Sequence, residues 1–168
     1  METYEAVRTL LAVRQYQDKR VPEEIVRRII EAGWLTGSAR NLQPWNFIVI
    51  EDRSMLLKMA KVVKTGPYIT QAALAIVVVI ENSKFAVSDG SRAIQSMMLT
   101  AWSEGVGSNW VGFTGIEGIK SLLGIPESLD VLAILPLGFP AKKIGRGKKK
   151  RKPFDQVVHK EVFGEKLE

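Results

Sequence analysis

The chain of 168 residues contains no cysteine and only one histidine, His159. Without cysteine there can be no disulfide, no thiolate nucleophile and no zinc site with sulfur ligands. One histidine cannot form a histidine-rich metal site, and the sequence has no Gly-x-Ser-x-Gly nucleophile elbow for a Ser–His–Asp triad. We therefore expect no metal site, and a reaction would need chemistry that a bound cofactor supplies.

Long apolar runs are also missing. The longest, residues 72–80, covers nine residues, whereas a membrane-spanning helix needs about 20. The N-terminus carries Glu2 and Glu5 and lacks the apolar core of a signal peptide. These features predict a cytoplasmic protein with no membrane partner.

Positive charge is concentrated in one segment, residues 141–152. This segment holds eight of the 24 lysines and arginines and no acid, so sixteen cations face 18 acids in the rest of the chain. A basic segment of this kind binds phosphate on nucleic acid, on lipid head groups or on a small cofactor, or it is a solvated loop. The acidic balance elsewhere and the lack of interleaved aromatic residues argue against a nucleic-acid partner.

Hydrophobic periodicity predicts a single domain over residues 1–168. Helical spacing alternates with strand-like runs, without an internal repeat or a linker, which favours one α/β domain of about four strands and six helices. The predicted helices cover residues 4–14, 22–33, 54–63, 91–104, 117–123 and 153–163. The predicted strands cover residues 47–50, 74–80, 108–113 and 131–137.

Two common phosphate-binding motifs do not occur in this sequence. In Gly105-Val106-Gly107, Trp110 stands where a dinucleotide fingerprint needs a third glycine or alanine. No Gly-x-x-x-x-Gly-Lys-Ser/Thr loop is present. Neither of these ways of holding phosphate at a helix N-terminus is therefore predicted.

The segment over residues 37–45 combines polar donors and acceptors with small residues. Asn41 and Gln43 each offer a donor and an acceptor, which suits the edge of a planar heterocycle, and Arg40 adds a fixed positive charge. The alternative is a capped turn that leads into a strand, with Trp45 as an anchor in the core. The residues alone leave these two interpretations open.

Residues 38–45, Ser-Ala-Arg-Asn-Leu-Gln-Pro-Trp, followed by the run at 47–50, resemble the Ser-x-x-Asn-x-Gln-Pro-Trp signature of the nitroreductase family of FMN-dependent oxidoreductases. Further similarities follow in order along nearly the whole chain. They are Arg14-Gln15-Tyr16, Asp89 at the start of the long helix, the glycine-rich stretch 105–112, residues 123–127 and 137–140, and residues 151–159.

The resemblance implies an α+β fold of the three-layer α/β type, with a mixed central sheet flanked by helices. It also implies a homodimer that holds FMN in two equivalent clefts at the subunit interface. NADH or NADPH would reduce the cofactor, and a nitroaromatic, a quinone or a similar small acceptor would oxidise it. The terminal pair Val162-Phe163 is expected to reach onto the partner subunit.

The resemblance also implies the binding residues, and it implies no catalytic side chain because the flavin carries the chemistry. The expected phosphate ligands are Arg14, Lys143, Lys149 and Arg151. The residues expected to line the flavin are Ser38, Ala39, Arg40, Asn41 and Gln43. The residues expected to place backbone groups beside the ring, near N5 and O4, are Trp110, Val111 and Gly112.

One departure from the family pattern concerns phosphate binding. Leu10, Leu11 and Ala12 stand where the family usually has Arg-Arg-Ser. Each charged hydrogen bond is typically worth about 1.5–3 kcal/mol, so FMN binding is expected to be weakened or to rely on the basic segment. A second hypothesis is therefore a family member that binds or sequesters flavin without turnover. The short chain further suggests an open cleft with loose substrate choice.

Overall fold

Five strands and five α-helices are present in the computed structural model, which describes residues 1–112, 114–142, 144 and 149–167. Lys143 lies outside the described residues. The strands are β1 (Trp45–Ile50), β2 (Leu74–Glu81), β3 (Gly107–Ser108), β4 (Val111–Gly112) and β5 (Leu129–Gly138). The helices are α1 (Thr3–Thr9), α2 (Glu23–Trp34), α3 (Arg53–Val62), α4 (Ala86–Ser103) and α5 (Gly118–Leu123).

The strands form one sheet in the order β1-β2-β5-β3, and β4 also pairs with β5. Each of these pairings is antiparallel. The expected mixed sheet is therefore wrong for the five strands. Among the described residues, the one parallel pairing is an isolated bridge between Ala12 and Ser108, where the N-terminal segment runs beside β3.

The sheet is covered by helices on both faces. β2 is buried along its whole length except at Glu81, as expected for a central strand. Its alternate residues point to opposite faces. Ile76 and Val78 belong to the core cluster that contains α2 and α4, whereas Val77 belongs to the cluster that contains α3 and α5. The α+β, three-layer arrangement is thus confirmed.

The N-terminal helix is shorter than its sequence pattern predicts. It ends at Thr9, whereas apolar spacing suggested helix as far as residue 14. Val13 donates its amide hydrogen to the carbonyl of Ser108 at 2.9 Å, and Ala12 forms the bridge to the same residue. Pairing with a strand that is distant in sequence therefore replaces the last turns of the helix.

The predicted C-terminal helix over residues 153–163 is wrong. This region contains only a short 3-10 turn, Phe154–Gln156, and a bridge between His159 and Lys166. Most of its apolar side chains are exposed, and Phe163 is 93% exposed. A short helix depends on the burial of an apolar face, which the rest of the described chain does not provide here.

Candidate functional site

Residues 38–43, called loop 38–43 below, combine a 3-10 turn with an unusual backbone. Arg40, Asn41 and Gln43 have positive φ angles of 54°, 56° and 50°. For residues other than glycine this left-handed conformation costs roughly 1–2 kcal/mol each. Such strain persists only where surrounding contacts fix it, and it concentrates at binding sites.

Hydrogen bonds within loop 38–43 stabilise this conformation. The Gln43 amide donates to Ser38 Oγ at 2.9 Å, and the Asn41 amide donates to the Ser38 carbonyl at 3.1 Å. Within the described part of the chain, neither the Arg40 guanidinium nor the Asn41 side-chain amide makes a hydrogen bond. Both groups are therefore available to a ligand.

Helix α4 holds loop 38–43 from outside through Asp89. This carboxylate is 1% exposed and accepts a hydrogen bond from the Ala39 amide at 3.0 Å and another from Arg92 Nη2 at 2.5 Å. Burial by itself raises the pKa of Asp89, but the hydrogen bonds from Arg92 and Ala39 outweigh it and hold the pKa below its usual range. Asp89 is therefore a charged anchor.

Sequence reasoning placed Asp89 at the start of the long helix but missed its contact with the loop. A signal was present, because Asp89 is an acid on a helix whose buried residues are otherwise small or apolar, such as Ala86, Gly90 and Ala93. A buried carboxylate in such surroundings needs hydrogen-bond partners. The identity of the partner could not be read from the sequence.

Residues 12–16, called segment 12–16 below, lie beside β3 and are tightly fixed. The Tyr16 hydroxyl donates to the carbonyls of Val13 at 2.7 Å and Pro136 at 3.1 Å. Burial, with a smaller contribution from Tyr68, raises the pKa of this hydroxyl well above its usual value, so it remains a donor. The Ala141 amide donates to the Gln15 carbonyl at 2.9 Å and joins the start of the basic segment to segment 12–16.

A groove of about 280 Å³ lies between segment 12–16 and three residues that follow β5, namely Pro140, Lys142 and Ile144. Arg14 and Lys142 line it, and no ion pair among the described residues engages either side chain. Arg14 is an expected phosphate ligand, whereas Lys142 is not among the predicted ligands. Its neighbour Lys143, which is among them, lies outside the described residues.

Lys149 and Arg151 lie further along the basic segment. Lys149 Nζ donates to the Val7 carbonyl at 2.6 Å, where α1 leaves its last carbonyl groups without intrahelical partners. Burial, followed by the charge of Arg151, lowers the pKa of Lys149. Arg151 Nη1 donates to the neighbouring Lys150 carbonyl at 3.0 Å. One donor of Lys149 is thus used for structure, a role the sequence did not indicate.

Residues 110–112 lie at the same sheet edge as segment 12–16. Val111 pairs with Ile134 of β5, and its side chain is buried, so only its backbone can meet a ligand. A Cβ atom on Gly112 would lie 2.9 Å from both Trp110 Nε1 and the Leu132 carbonyl oxygen. Glycine is therefore required at this position by the packing of Trp110.

The structure does not bring loop 38–43 together with the other expected site residues. The loop leads into β1 at one edge of the sheet, whereas segment 12–16 borders β3 at the other edge. The strands β1 and β3 are roughly 14 Å apart, at about 4.8 Å per strand spacing. Helix α4 contacts the loop through Asp89, and near its other end the Trp102 indole donates to Thr9 Oγ1, just ahead of segment 12–16. Asp89 and Trp102 are about 20 Å apart along the helix at a rise of roughly 1.5 Å per residue. Within the described ranges, no hydrogen bond or ion pair joins the two regions.

Comparison with known proteins decides the family. The sequence profile of the nitroreductase family matches residues 11–88 and 80–139, which together cover most of the chain. The chain belongs to the nitroreductase family. A Methanothermobacter thermautotrophicus protein named "Putative NADH dehydrogenase/NAD(P)H nitroreductase" is 38% identical to it over 154 residues, covering 86% of this chain and 81% of that protein.

Solved structures of nitroreductases share the fold. The crystal structure of a putative NADH dehydrogenase/NAD(P)H nitroreductase from Parabacteroides distasonis superposes with a TM-score of 0.87 at 30% identity. The match covers 96% of this chain and 98% of that one. An FMN-dependent nitroreductase from Clostridium difficile superposes with a TM-score of 0.84 at 24% identity, over 95% and 99% of the two chains. The family resemblance inferred from the motifs is thus confirmed, and the chain is a nitroreductase-family enzyme.

Across the described ranges, no helix combines the length and the apolar character needed to cross a bilayer. In the same ranges no three acidic or histidine side chains are grouped so that they could hold a metal ion.

Proposed function

We propose that this nitroreductase-family protein binds FMN and passes electrons from NADH or NADPH to a nitroaromatic, a quinone or a similar small acceptor. The observation that carries the proposal is the presence, at opposite sheet edges, of a strained, donor-rich loop and of a groove lined by cations that have no ion-pair partner in the described chain. The names of the Methanothermobacter and Clostridium relatives support it. FMN supplies the hydride acceptance and release that no side chain of this sequence supplies.

The groove beside segment 12–16 fits a phosphate. Arg14 and Lys142 both line it, and charge-assisted hydrogen bonds from arginine and lysine to phosphate are among the strongest in proteins. These two cations offset part of the loss that Leu10, Leu11 and Ala12 cause. Lys149 and Arg151 remain proposed phosphate ligands, with Lys149 also bonded to α1.

Loop 38–43 fits the ring of the flavin. Arg40 and the Asn41 side chain present unsatisfied donors, and Ser38 keeps its hydroxyl hydrogen free to donate while its oxygen accepts from Gln43. Fixed cations and donors stabilise negative charge that develops on a bound ring. The backbone of Trp110, Val111 and Gly112 is proposed to contact the ring from the other side of the cleft.

Two copies of the chain are proposed to complete each site. Loop 38–43 and the cationic groove lie at opposite sheet edges, so the loop of one copy would face the groove of the other. Exposed apolar side chains around the loop support a homodimer, because a monomer rarely leaves such a patch uncovered. Trp34, Leu35, Leu42 and Val87 are 52–71% exposed.

A flavin-sequestering protein without turnover is the second candidate. It is favoured by Leu10, Leu11 and Ala12, which remove usual phosphate contacts, and by the engagement of Lys149 with the Val7 carbonyl. For either function we propose a cytoplasmic location and no nucleic-acid partner.

The absorbance spectrum of the purified protein, with and without added FMN, tests the proposal first. Yellow flavin bands are expected, and a colourless protein that also fails to bind FMN would refute it. Anaerobic stopped-flow mixing of the FMN-loaded protein with NADH or NADPH then separates the two candidates. Bleaching of the flavin, reversed by a nitroaromatic or a quinone, indicates turnover, whereas flavin that stays oxidised indicates sequestration.

A further inference from the structure

Asp89 is a buried carboxylate on the apolar side of α4. Its carboxylate accepts hydrogen bonds from the Ala39 amide and from Arg92. Burial of a charge is costly unless hydrogen bonds compensate for it, so a charged residue in this core indicates a specific role. Because Asp89 accepts a hydrogen bond from the backbone of loop 38–43, we infer that its role is to fix the conformation of that loop.

Loop 38–43 needs external support because three of its residues adopt left-handed backbone angles. Helix α4 provides that support at two points. Asp89 accepts from the Ala39 amide, and Ser96 Oγ accepts from Thr36 Oγ1 at 2.8 Å, just ahead of the loop. Residues 89 and 96 are two helical turns apart, so both contacts lie on the same face of α4.

Arg92 orients the carboxylate. Its Nη2 lies 2.5 Å from Asp89 Oδ1, which leaves Oδ2 directed at the Ala39 amide. The Arg92 side chain is 57% exposed and is one turn from Asp89 on the same helix. The connection thus runs from a surface arginine, through a buried carboxylate, to the backbone of the loop.

We propose that Asp89, oriented by Arg92, is a positioning residue that holds loop 38–43 in the conformation that meets the flavin. This inference rests on the proposed function, because it assigns the loop to FMN. Asp89 acts through the Ala39 amide and is not a catalytic residue. A purely structural role, in which Asp89 only stabilises the first turn of α4, would change stability without changing the environment of the flavin.

The test compares Asp89→Asn with the wild-type chain in two measurements. Amide hydrogen exchange in the FMN-free protein reports on the loop, and we expect Ala39 and its neighbours to exchange faster in the variant. FMN titration, with the visible circular dichroism and midpoint potential of the bound flavin, reports on the site. We expect about tenfold weaker FMN binding or more, with an altered dichroism spectrum, because the neutral amide oxygen of asparagine accepts a weaker hydrogen bond than the carboxylate and does not pair with the charge of Arg92.

Glu104→Gln is the matched control. Glu104 pairs with Arg28 just beyond the other end of α4, so this change also removes one acidic ion-pair partner near the helix but leaves the loop intact. We expect unchanged loop exchange and an unchanged flavin spectrum. If Asp89→Asn does not fold, Arg92→Gln replaces it, because the exposed Arg92 can be changed without a cavity, and smaller shifts in the same direction are expected.

Several outcomes would overturn the proposal. Unchanged exchange at Ala39 would show that Asp89 does not hold the loop. Faster exchange with unchanged FMN affinity, dichroism and potential would show that the held conformation does not matter to the flavin. If the wild-type protein binds no FMN, the proposed function fails, whereas the exchange measurement still shows whether Asp89 fixes the loop.

Discussion

The two halves of the proposed site, loop 38–43 near the start of α4 and segment 12–16 near its end, hold their conformations in different ways. Loop 38–43 has a strained backbone, and a buried charge at Asp89 holds it. Segment 12–16 has no positive φ angle, and it is held by pairing with β3 and by the buried Tyr16. Its proposed phosphate ligand, Arg14, is exposed.

This difference predicts which changes affect which property. Under the proposed function, the backbone position of loop 38–43 determines its contact with the flavin, so strain and function are coupled there. In segment 12–16, packing fixes the backbone, and the proposed phosphate ligand is the exposed cation Arg14. A substitution at Arg14 should therefore change ligand affinity without changing stability. A substitution at the residues that pack beneath it should change both.

The largest effect is expected from Gly107→Ala. The added Cβ would lie within 2.7 Å of Val13 Cβ, so segment 12–16 would have to move away from β3. Overpacking of this kind costs roughly 1–3 kcal/mol of unfolding free energy, and FMN affinity should fall with it. Denaturant unfolding and FMN titration measure both quantities.

Gly37→Ala is the control for that change. An added Cβ at Gly37 meets nothing within 4 Å, so neither stability nor FMN affinity should change. Equal effects of the two substitutions would contradict the packing account of segment 12–16.

Arg14→Gln should affect binding without affecting the fold. Loss of one charged phosphate contact is expected to weaken FMN binding by about tenfold to a hundredfold, since such a contact is worth roughly 1.5–3 kcal/mol. The thermal midpoint should stay within about 1 °C, because surface substitutions of this kind change stability little. Riboflavin, which lacks the phosphate, should bind both proteins equally.

Arg53→Gln serves as the matched control for Arg14→Gln. Arg53 is also exposed, and no ion pair in the described chain includes it, but it lies in α3 and does not line the cationic groove. FMN affinity should be unchanged. A comparable loss at Arg53 would mean that net charge, rather than the groove, attracts the cofactor.

Asp52→Ala changes stability at a position outside loop 38–43 and segment 12–16. Asp52 Oδ1 accepts from the Met55 amide at 2.8 Å and caps α3. Removal of such a cap costs about 1 kcal/mol of unfolding free energy. FMN affinity measured well below the unfolding transition should not change, and a parallel loss of affinity would show that the site responds to any loss of stability.

The smallest effect is expected at Arg40, where φ is 54°. Arg40→Gly relieves the left-handed strain and should leave the unfolding free energy unchanged or raise it by up to about 1 kcal/mol. Arg40→Ala keeps the strain and should give no such gain. Both variants should bind FMN more weakly, because both lose the guanidinium. A gain from alanine equal to that from glycine would argue against backbone strain in the loop.

Parts of the fold were predictable because they depend on local pattern. The uninterrupted apolar run at β2 identified a buried central strand, and the apolar stripe containing Val26 and Ile29 identified α2. The family motif identified loop 38–43, although its left-handed backbone at Arg40 and Gln43 was not apparent.

Other features depend on contacts between residues distant in sequence. Helix α1 stops at Thr9 because Ala12 pairs with Ser108, a partner that periodicity within residues 4–14 does not reveal. The bond from Lys149 to Val7 and the separation of the two site halves depend on the strand order in the same way. The apolar residues of the C-terminal region favoured a helix, but they have no surface within the described chain to cover.

A heterodimer of two defective chains tests the shared site most directly. Chains carrying Arg14→Gln and Asn41→Ala, with different affinity tags, are co-expressed, and the doubly tagged species is titrated with FMN. If each site combines the groove of one copy with loop 38–43 of the other, this species has one intact site and binds one FMN per dimer with wild-type affinity. If both halves of a site come from the same chain, every site carries a substitution and no FMN binds with wild-type affinity, which would contradict the account.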